Sequence, residues 1–177
     1  KDGKVSVEFP HLLNLIKENQ FDTIYHEHYS YFSLFTLQTI VNKVNLKIIE
    51  VEELTTHGGS LRLWLTHKDN PIEESSSVEY IKKKEKDFGI LSRETFNLFR
   101  SNCNLIKLNL LEFLIDLKRK NKTIIGYGAA AKGNTLLNYL GITKDLLPAV
   151  IDKAQSKQGK FLPGSHIPIL EPNKIEI

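Results

Sequence analysis

Between Lys122 and Asp152 the chain passes from a short apolar stretch into Gly126-Tyr127-Gly128, then into a helical stretch through Leu140. It next reaches Leu147-Pro148-Ala149-Val150-Ile151, which ends in Asp152-Lys153. An apolar strand, a glycine turn, a helix and a second apolar strand make a βαβ unit. Such a unit obliges the two strands to run parallel with the helix laid across one face of their sheet. Gly126 and Gly128 let the backbone approach a ligand, and the free N–H groups of the following helix suit phosphate. Ala131 fills the third place of the Gly-x-Gly-x-x-Gly/Ala pattern, and Asp152 stands where a ribose-binding carboxylate would. Lys132, Gly133 and Asn134 add polar groups to that first turn. A tight turn with close helix–strand packing accounts for the same glycines without any ligand.

Upstream, Lys4 to Phe9 alternates and is β-branched, so it reads as a strand. Pro10 fits the first turn of a helix that runs to Asn19. Ser33 caps a helix from Leu34 to about Val44, with Leu34, Leu37, Ile40, Val41 and Val44 on one stripe. Leu46 to Leu54 and Ser60 to His67 are two strands. They are joined so briefly, through Thr55 to Gly59, that they must form an antiparallel hairpin. Strand, helix, strand and hairpin is how a doubly wound α/β sheet finishes, and ligands bind such sheets outside the carboxyl ends of the strands. If the first two strands run in the same direction, Pro10, His11 and the loop His57-Gly58-Gly59 gather at that edge.

Asp69 to Ser77 is polar and reads as a boundary. A charged helix follows from Val78 to Asp87, ending at Gly89. Its lysines, Lys82 to Lys84 and Lys86, lie among Glu79, Glu85 and Asp87, which describes a solvated face. From Ser92 to about Lys120 a long helix spaces Phe96, Phe99, Cys103, Ile106, Leu110, Phe113 and Leu117 by alternating threes and fours. That is a heptad seam, read here as packing on the chain's own domain. The tail from Gly159 to Ile169 reads as a loop and a short strand, with His166 a loop histidine.

One segment stands apart. Phe21 to Phe32 holds Tyr25, His26, Glu27, His28, Tyr29 and Tyr31, a density of proton-handling groups found nowhere else in the chain. Burying charge is costly unless it is matched, and nothing favours ordering bulky aromatics in water. A stretch both aromatic and ionisable describes the wall of a cleft, or else the rim of a domain. Composition narrows the partners. A net charge of +3 with scattered lysines gives no footprint for nucleic acid. A single cysteine, Cys103, excludes an internal disulfide and a cysteine metal cluster. No apolar run is long enough to cross a bilayer and no signal peptide stands at Lys1, so the expected setting is cytoplasmic. With no methionine at all, the chain looks like a piece of something longer.

Five ordered blocks carry a resemblance. They are Glu8-Phe9-Pro10-His11, the run from Phe21-Asp22 through Tyr25-His26-Glu27-His28 to Tyr31, Thr56-His57-Gly58-Gly59-Ser60-Leu61-Arg62, Gly126 to Thr135, and Gly159-Lys160-x-x-Pro163-Gly164-x-x-Ile167-Pro168. Together they resemble the sugar-nucleotide C-methyltransferase family, S-adenosyl-L-methionine-dependent enzymes that build branched deoxysugars. The resemblance implies a three-part protein: a zinc module, a Rossmann domain for S-adenosyl-L-methionine, and a C-terminal Rossmann-like α/β domain for the sugar nucleotide. Residues 1–70 would be the end of the methyltransferase domain and its sheet. Residues 71–177 would be most of the C-terminal domain, which continues past Ile177. Zinc would belong only to a module missing here, and the S-adenosyl-L-methionine site would lie mostly outside this chain, leaving it inactive alone.

By the same resemblance the substrate is a nucleoside-diphosphate 4-keto-deoxysugar. His28 matches the position of the base, Glu27 would hold it, and Tyr25 would donate to the keto or enolate oxygen. Gly126, Gly128, Ala130, Lys132 and Asn134 would hold the pyrophosphate, and His57 is a weaker candidate for substrate contact, as is Arg62. Two rivals remain open at this point: an oxidoreductase fragment binding NAD through Gly126 to Ala131 and Asp152, and a non-catalytic domain whose heptad helix binds a partner. The oligomeric state is not fixed by the sequence, and a monomer is the expectation.

Overall fold

The computed structural model describes residues 2–174; Lys1 and residues 175–177, the two ends of the expected domain division, lie outside the described residues. The fold is α/β, with an antiparallel three-stranded sheet, a parallel three-stranded sheet and one long helix. The chain divides into two compact units. One takes the residues up to Phe21 together with Tyr29–Arg100; the other takes Asp22–His28 together with the described residues from Ser101 onward.

In the first unit the sheet has the order β1 (Lys4–Pro10), β3 (Ser60–His67), β2 (Leu46–Leu54), with both outer strands antiparallel to β3. β1 and β2 therefore run the same way, and Pro10 and Leu54 both pair with Ser60. His11 N–H donates to Gly59 C=O at 3.0 Å, so His11 and the hairpin loop do share an edge. Pro10 ends β1 rather than opening the helix. On an edge strand a missing N–H is tolerated, and His11 takes the N-cap of α1 (Leu12–Lys17).

Leu61, Leu63 and Leu65 alternate along β3 toward a core shared with Phe9, Ile48 and Val51. Two helices complete it, α2 (Leu34–Lys43) through Leu34, Leu37 and Val41, and α3 (Ser76–Phe88) through Val78 and Ile81. Ile40 and Val44, expected on the α2 stripe, stay exposed. The helix meets its neighbours through a band narrower than its apolar residues span.

The largest departure from expectation is Glu85. Placed by its neighbours on a solvated face, it is instead fully buried. Its Oε1 accepts from Leu34 N–H at 2.6 Å, its Oε2 from Phe35 N–H at 3.1 Å, and His11 Nε2 lies 2.8 Å from Oε1. Ser33 Oγ accepts from Thr36 N–H at 3.2 Å. All three N–H groups that precede the first helical bond of α2, from Leu37 to Ser33, thus have a side-chain acceptor. The lysines of α3 keep to the surface, with Lys83 paired to Asp87 and Lys84 to Glu53.

In the second unit β4 (Gly126–Tyr127), β5 (Val150–Ile151) and β6 (Ile169–Leu170) form a parallel sheet in that order, with α5 (Ala131–Leu140) crossing from β4 to β5. The βαβ unit read from the sequence is present, with strands shorter than the apolar runs suggested. Its core gathers Leu140, Ile142, Leu147, Val150, Leu162, Ile167 and Ile169 around Leu114 of the long helix α4 (Arg93–Arg119). The expected seam on α4 drifts: Cys103 is buried, but Leu114 takes the place of Phe113, which is 57% exposed. Phe96, the first position of the seam, is 43% exposed as well, and a helix of 3.6 residues per turn slips by about 20° against each heptad, so a strict heptad does not keep to one face.

Removing one partner of a buried charged group leaves the others unmatched, so Glu85→Ala is expected to cost about 3 kcal/mol or more of unfolding free energy. In urea titrations Lys83→Ala, which removes only an exposed i,i+4 pair, should stay within about 0.5 kcal/mol of wild type.

Candidate functional site

The second unit carries a cavity of about 500 Å³. Its position follows from the topology. β4 and β5 are parallel, so the segments leaving Tyr127 and Ile151 emerge at one sheet edge, outside the carboxyl ends of the strands. From the first come Ala129, Ala130 and Ala131, then Asn134 and Thr135 of α5. From the second come Ser156, Lys157 and Lys160, with Phe161 to Pro163 behind them, and Tyr25 and His26 complete the wall.

The glycines are explained by the backbone. A Cβ on Gly126 would stand 2.8 Å from Val150 Cγ1, and Gly128 has φ +94°, a conformation that side chains rarely adopt. Ala130, at the N-cap of α5, is extended and supplies no side-chain cap. The helical ladder begins with Asn134 N–H on Ala130 C=O at 2.9 Å, which leaves the earlier N–H groups of the turn outside it. Lys132 is half-buried on that turn and is not part of the cavity wall.

Asp152 is held by backbone and side-chain donors of its own unit. Its Oδ2 accepts from Ala129 N–H at 2.7 Å and its Oδ1 from Ala154 N–H at 2.8 Å. Lys157 Nζ lies 3.3 Å from Oδ2 and donates to Ala129 C=O at 2.9 Å. These donors, the Ala154 and Ala129 amides first and the Lys157 ammonium after them, hold the Asp152 carboxyl below its usual range.

The Phe21–Phe32 segment opens with a single 3-10 turn, Phe21–Thr23. His28 N–H then donates to Tyr25 C=O at 3.0 Å. That turn brings the two side chains together: His28 Nε2 is 3.3 Å from Tyr25 Oη, and the rings meet edge to face with centroids 4.8 Å apart. Glu27 is well exposed, with Oε1 4.0 Å from His26 Nε2.

Of the residues singled out from sequence, the cavity gathers Tyr25, Ala130 and Asn134, with His28 one hydrogen bond behind Tyr25. Gly126, Gly128, Asp152 and Glu27 shape or flank this unit without lining the cavity. His57 belongs to the first unit, exposed in the hairpin turn at φ +53°. Gly58 and Gly59 pack there against Gln20 and Asn14. Arg62 spends both arms of its guanidinium on carboxylates, Nη2 to Glu8 at 3.0 Å and Nη1 to Glu52 at 3.1 Å, which raises its pKa, Glu8 contributing most.

Sequence reasoning missed Ser156 and Lys157 and gave no separate role to Thr135 and Lys160, which lie within the blocks that carry the resemblance. The signal for Ser156, Lys157 and Lys160 was their place just past the β5 carboxyl end. Among the described residues no cluster of three His, Cys, Asp or Glu side chains could hold a metal ion, and no helix is long and apolar enough to cross a membrane.

A carboxyl whose folded pKa is depressed contributes stability above its unfolded pKa, near pH 4. That contribution is lost as pH falls through the lower folded value. The stability advantage of wild type over Asp152→Asn is therefore expected in full at neutral pH and should shrink steadily below about pH 4, as read from denaturation midpoints across the acid range.

Among known proteins, C-methyltransferase NovU of Streptomyces niveus is 36% identical over 173 residues, covering 98% of this chain and 41% of that protein. The chain thus spans less than half the length of that relative. The family model for the C-methyltransferase C-terminal domain matches residues 55–177, a span that takes in the hairpin turn, α4, the glycine turn and the cavity's second wall. By that match the chain belongs to the family of C-methyltransferase C-terminal domains.

Proposed function

We propose that this chain is part of an S-adenosyl-L-methionine-dependent C-methyltransferase of deoxysugar biosynthesis, acting in the cytoplasm on a nucleoside-diphosphate 4-keto-deoxysugar. One observation carries the reading. A single cavity of the second unit presents Tyr25, hydrogen-bonded to His28, beside the Ala129–Ala131 turn. A keto-sugar joined to a diphosphate needs both parts: proton chemistry at one end and a polar backbone cradle at the other.

In the proposed reaction His28, which stands behind Tyr25 and would have to turn its ring toward the cavity, takes the proton from the carbon next to the ketone, and the C–H electron pair moves into an enolate whose oxygen carries the charge. Histidine titrates in the range that proton abstraction near neutral pH requires. As the imidazole gains its proton, Nε2–H turns to Tyr25 Oη, and the tyrosine hydroxyl hydrogen turns to the enolate oxygen. Glu27, adjacent in sequence, would hold the charged imidazole. Ala130, Asn134 and the start of α5 receive the diphosphate, with Lys132 as counter-charge and Gly126 and Gly128 shaping the turn.

S-adenosyl-L-methionine supplies the methyl group in such a reaction. In the first unit the strands pair only antiparallel, and the Gly58-Gly59 turn is filled by Gln20 and Asn14 side chains. The residues here do not fit that cofactor, and no step is derived through it. On this reading residues 1–70 continue a methyltransferase domain, residues 71–177 hold the sugar nucleotide, and the chain alone is inactive. For a rival NAD site, Asp152 has fewer acceptor positions left for a ribose hydroxyl, since each of its oxygens already accepts one backbone hydrogen bond.

In the complete methyltransferase, His28→Ala should abolish solvent exchange of the substrate's α-proton, followed by NMR in deuterium oxide; retained exchange rejects His28 as the base. Loss of one donor to a developing oxyanion costs about 100-fold in kcat, which is the drop expected for Tyr25→Phe. Lys132→Ala should weaken binding of thymidine diphosphate to this chain, and an unchanged titration rejects its counter-charge role.

A further inference from the structure

We infer that Asp152 and Lys157 are positioning residues, a carboxylate–ammonium clip that grips residue 129 at both backbone atoms and so sets the turn that would receive the diphosphate. The inference rests on the diphosphate reading of the cavity proposed above and gives Asp152 a role other than ribose recognition.

The geometry is specific. Ala129 N–H is held by Asp152 Oδ2 at 2.7 Å and Ala129 C=O by Lys157 Nζ at 2.9 Å, while the two side chains meet each other at 3.3 Å. Two consecutive peptide planes are thereby fixed, directly after Gly128, whose φ of +94° is a conformation that other residues rarely adopt. Asp152 is itself held, with Oδ1 on Ala154 N–H at 2.8 Å and its backbone C=O accepting from Gln158 Nε2 at 2.9 Å. Its side chain is only 13% exposed, so it meets the turn from behind while Lys157 reaches the cavity wall. Charge-assisted bonds of this kind are shorter and stronger than neutral ones, as suits parts that must hold a loop against ligand exchange.

The alternative, a carboxylate that reads the ribose, predicts a different dependence on ligand. Titration calorimetry of the 177-residue chain with pyrophosphate and with thymidine diphosphate separates the two. A clip that sets the diphosphate cradle makes Asp152→Asn lose affinity by the same factor for both ligands, about tenfold for one charge-assisted contact. A loss confined to thymidine diphosphate assigns Asp152 to the ribose and overturns the clip, as does no loss for either ligand. With no ligand present, the Ala129 amide should exchange faster with deuterium in Asp152→Asn, and unchanged exchange also overturns it. Should Asp152→Asn not fold, Lys157→Met carries the test, with equal loss for both ligands and faster exchange at Ala129 expected, and Lys157→Arg restoring both. Wild type binding neither ligand is a separate result: it rejects the diphosphate site and with it the purpose of the clip.

Discussion

A carboxylate with no access to water holds the first unit together. Glu85 on α3 accepts from the first two N–H groups of α2 and meets His11 at the end of β1. Three elements far apart in sequence thus converge on one functional group. Ionised carboxylates are rarely left in an apolar interior, because desolvation costs more than any single contact returns. Here the cost is offset by a helix N-terminus, whose unpaired N–H groups and partial positive charge suit an anion. His11 Nε2 makes the third contact, and its Nδ1 has no hydrogen-bond partner among the described residues.

The two units treat a helix N-terminus in opposite ways. In the first, every early N–H of α2 is met by a side chain of the protein itself, from Glu85 or Ser33. That terminus is filled, and it serves architecture. In the second, α5 starts at an alanine that offers no cap, and the nearby carboxylate, Asp152, binds the residue before it instead. A protein that places an acid one residue short of the helix start keeps the donors of the first turn for something else. The same chemistry, a carboxylate accepting backbone N–H groups, closes one site and leaves the other open.

Much of this was legible in the chain. β3 came from strict alternation, the βαβ order from two apolar runs around a glycine turn, and α4 from a run of threes and fours, because those signals depend only on neighbours in sequence. Glu85 was unreadable for the complementary reason. Five charged residues surround it between Lys82 and Asp87, and only the third dimension shows that α3 turns this one toward α2. Pro10 misled because the fixed φ that suits a first helical turn also suits the end of an edge strand. Phe113 misled because a heptad count accumulates error along a straight helix. Of the site, the glycine turn and the aromatic segment announced themselves by composition. Lys157 and Lys160 did not, since a surface loop with lysines is ordinary until its place past a strand end is known.

The Tyr25–His28 pair is joined by contacts close in sequence. It is made by one turn, closed by a single backbone hydrogen bond between the same two residues. The turn sets the two rings edge to face, and both residues are half-buried. His26 and Tyr29, on either side, are 84% and 92% exposed. A proton acceptor must be both placed and basic. On the proposed reading, the local turn supplies the placement, setting His28 against Tyr25 through residues close in sequence.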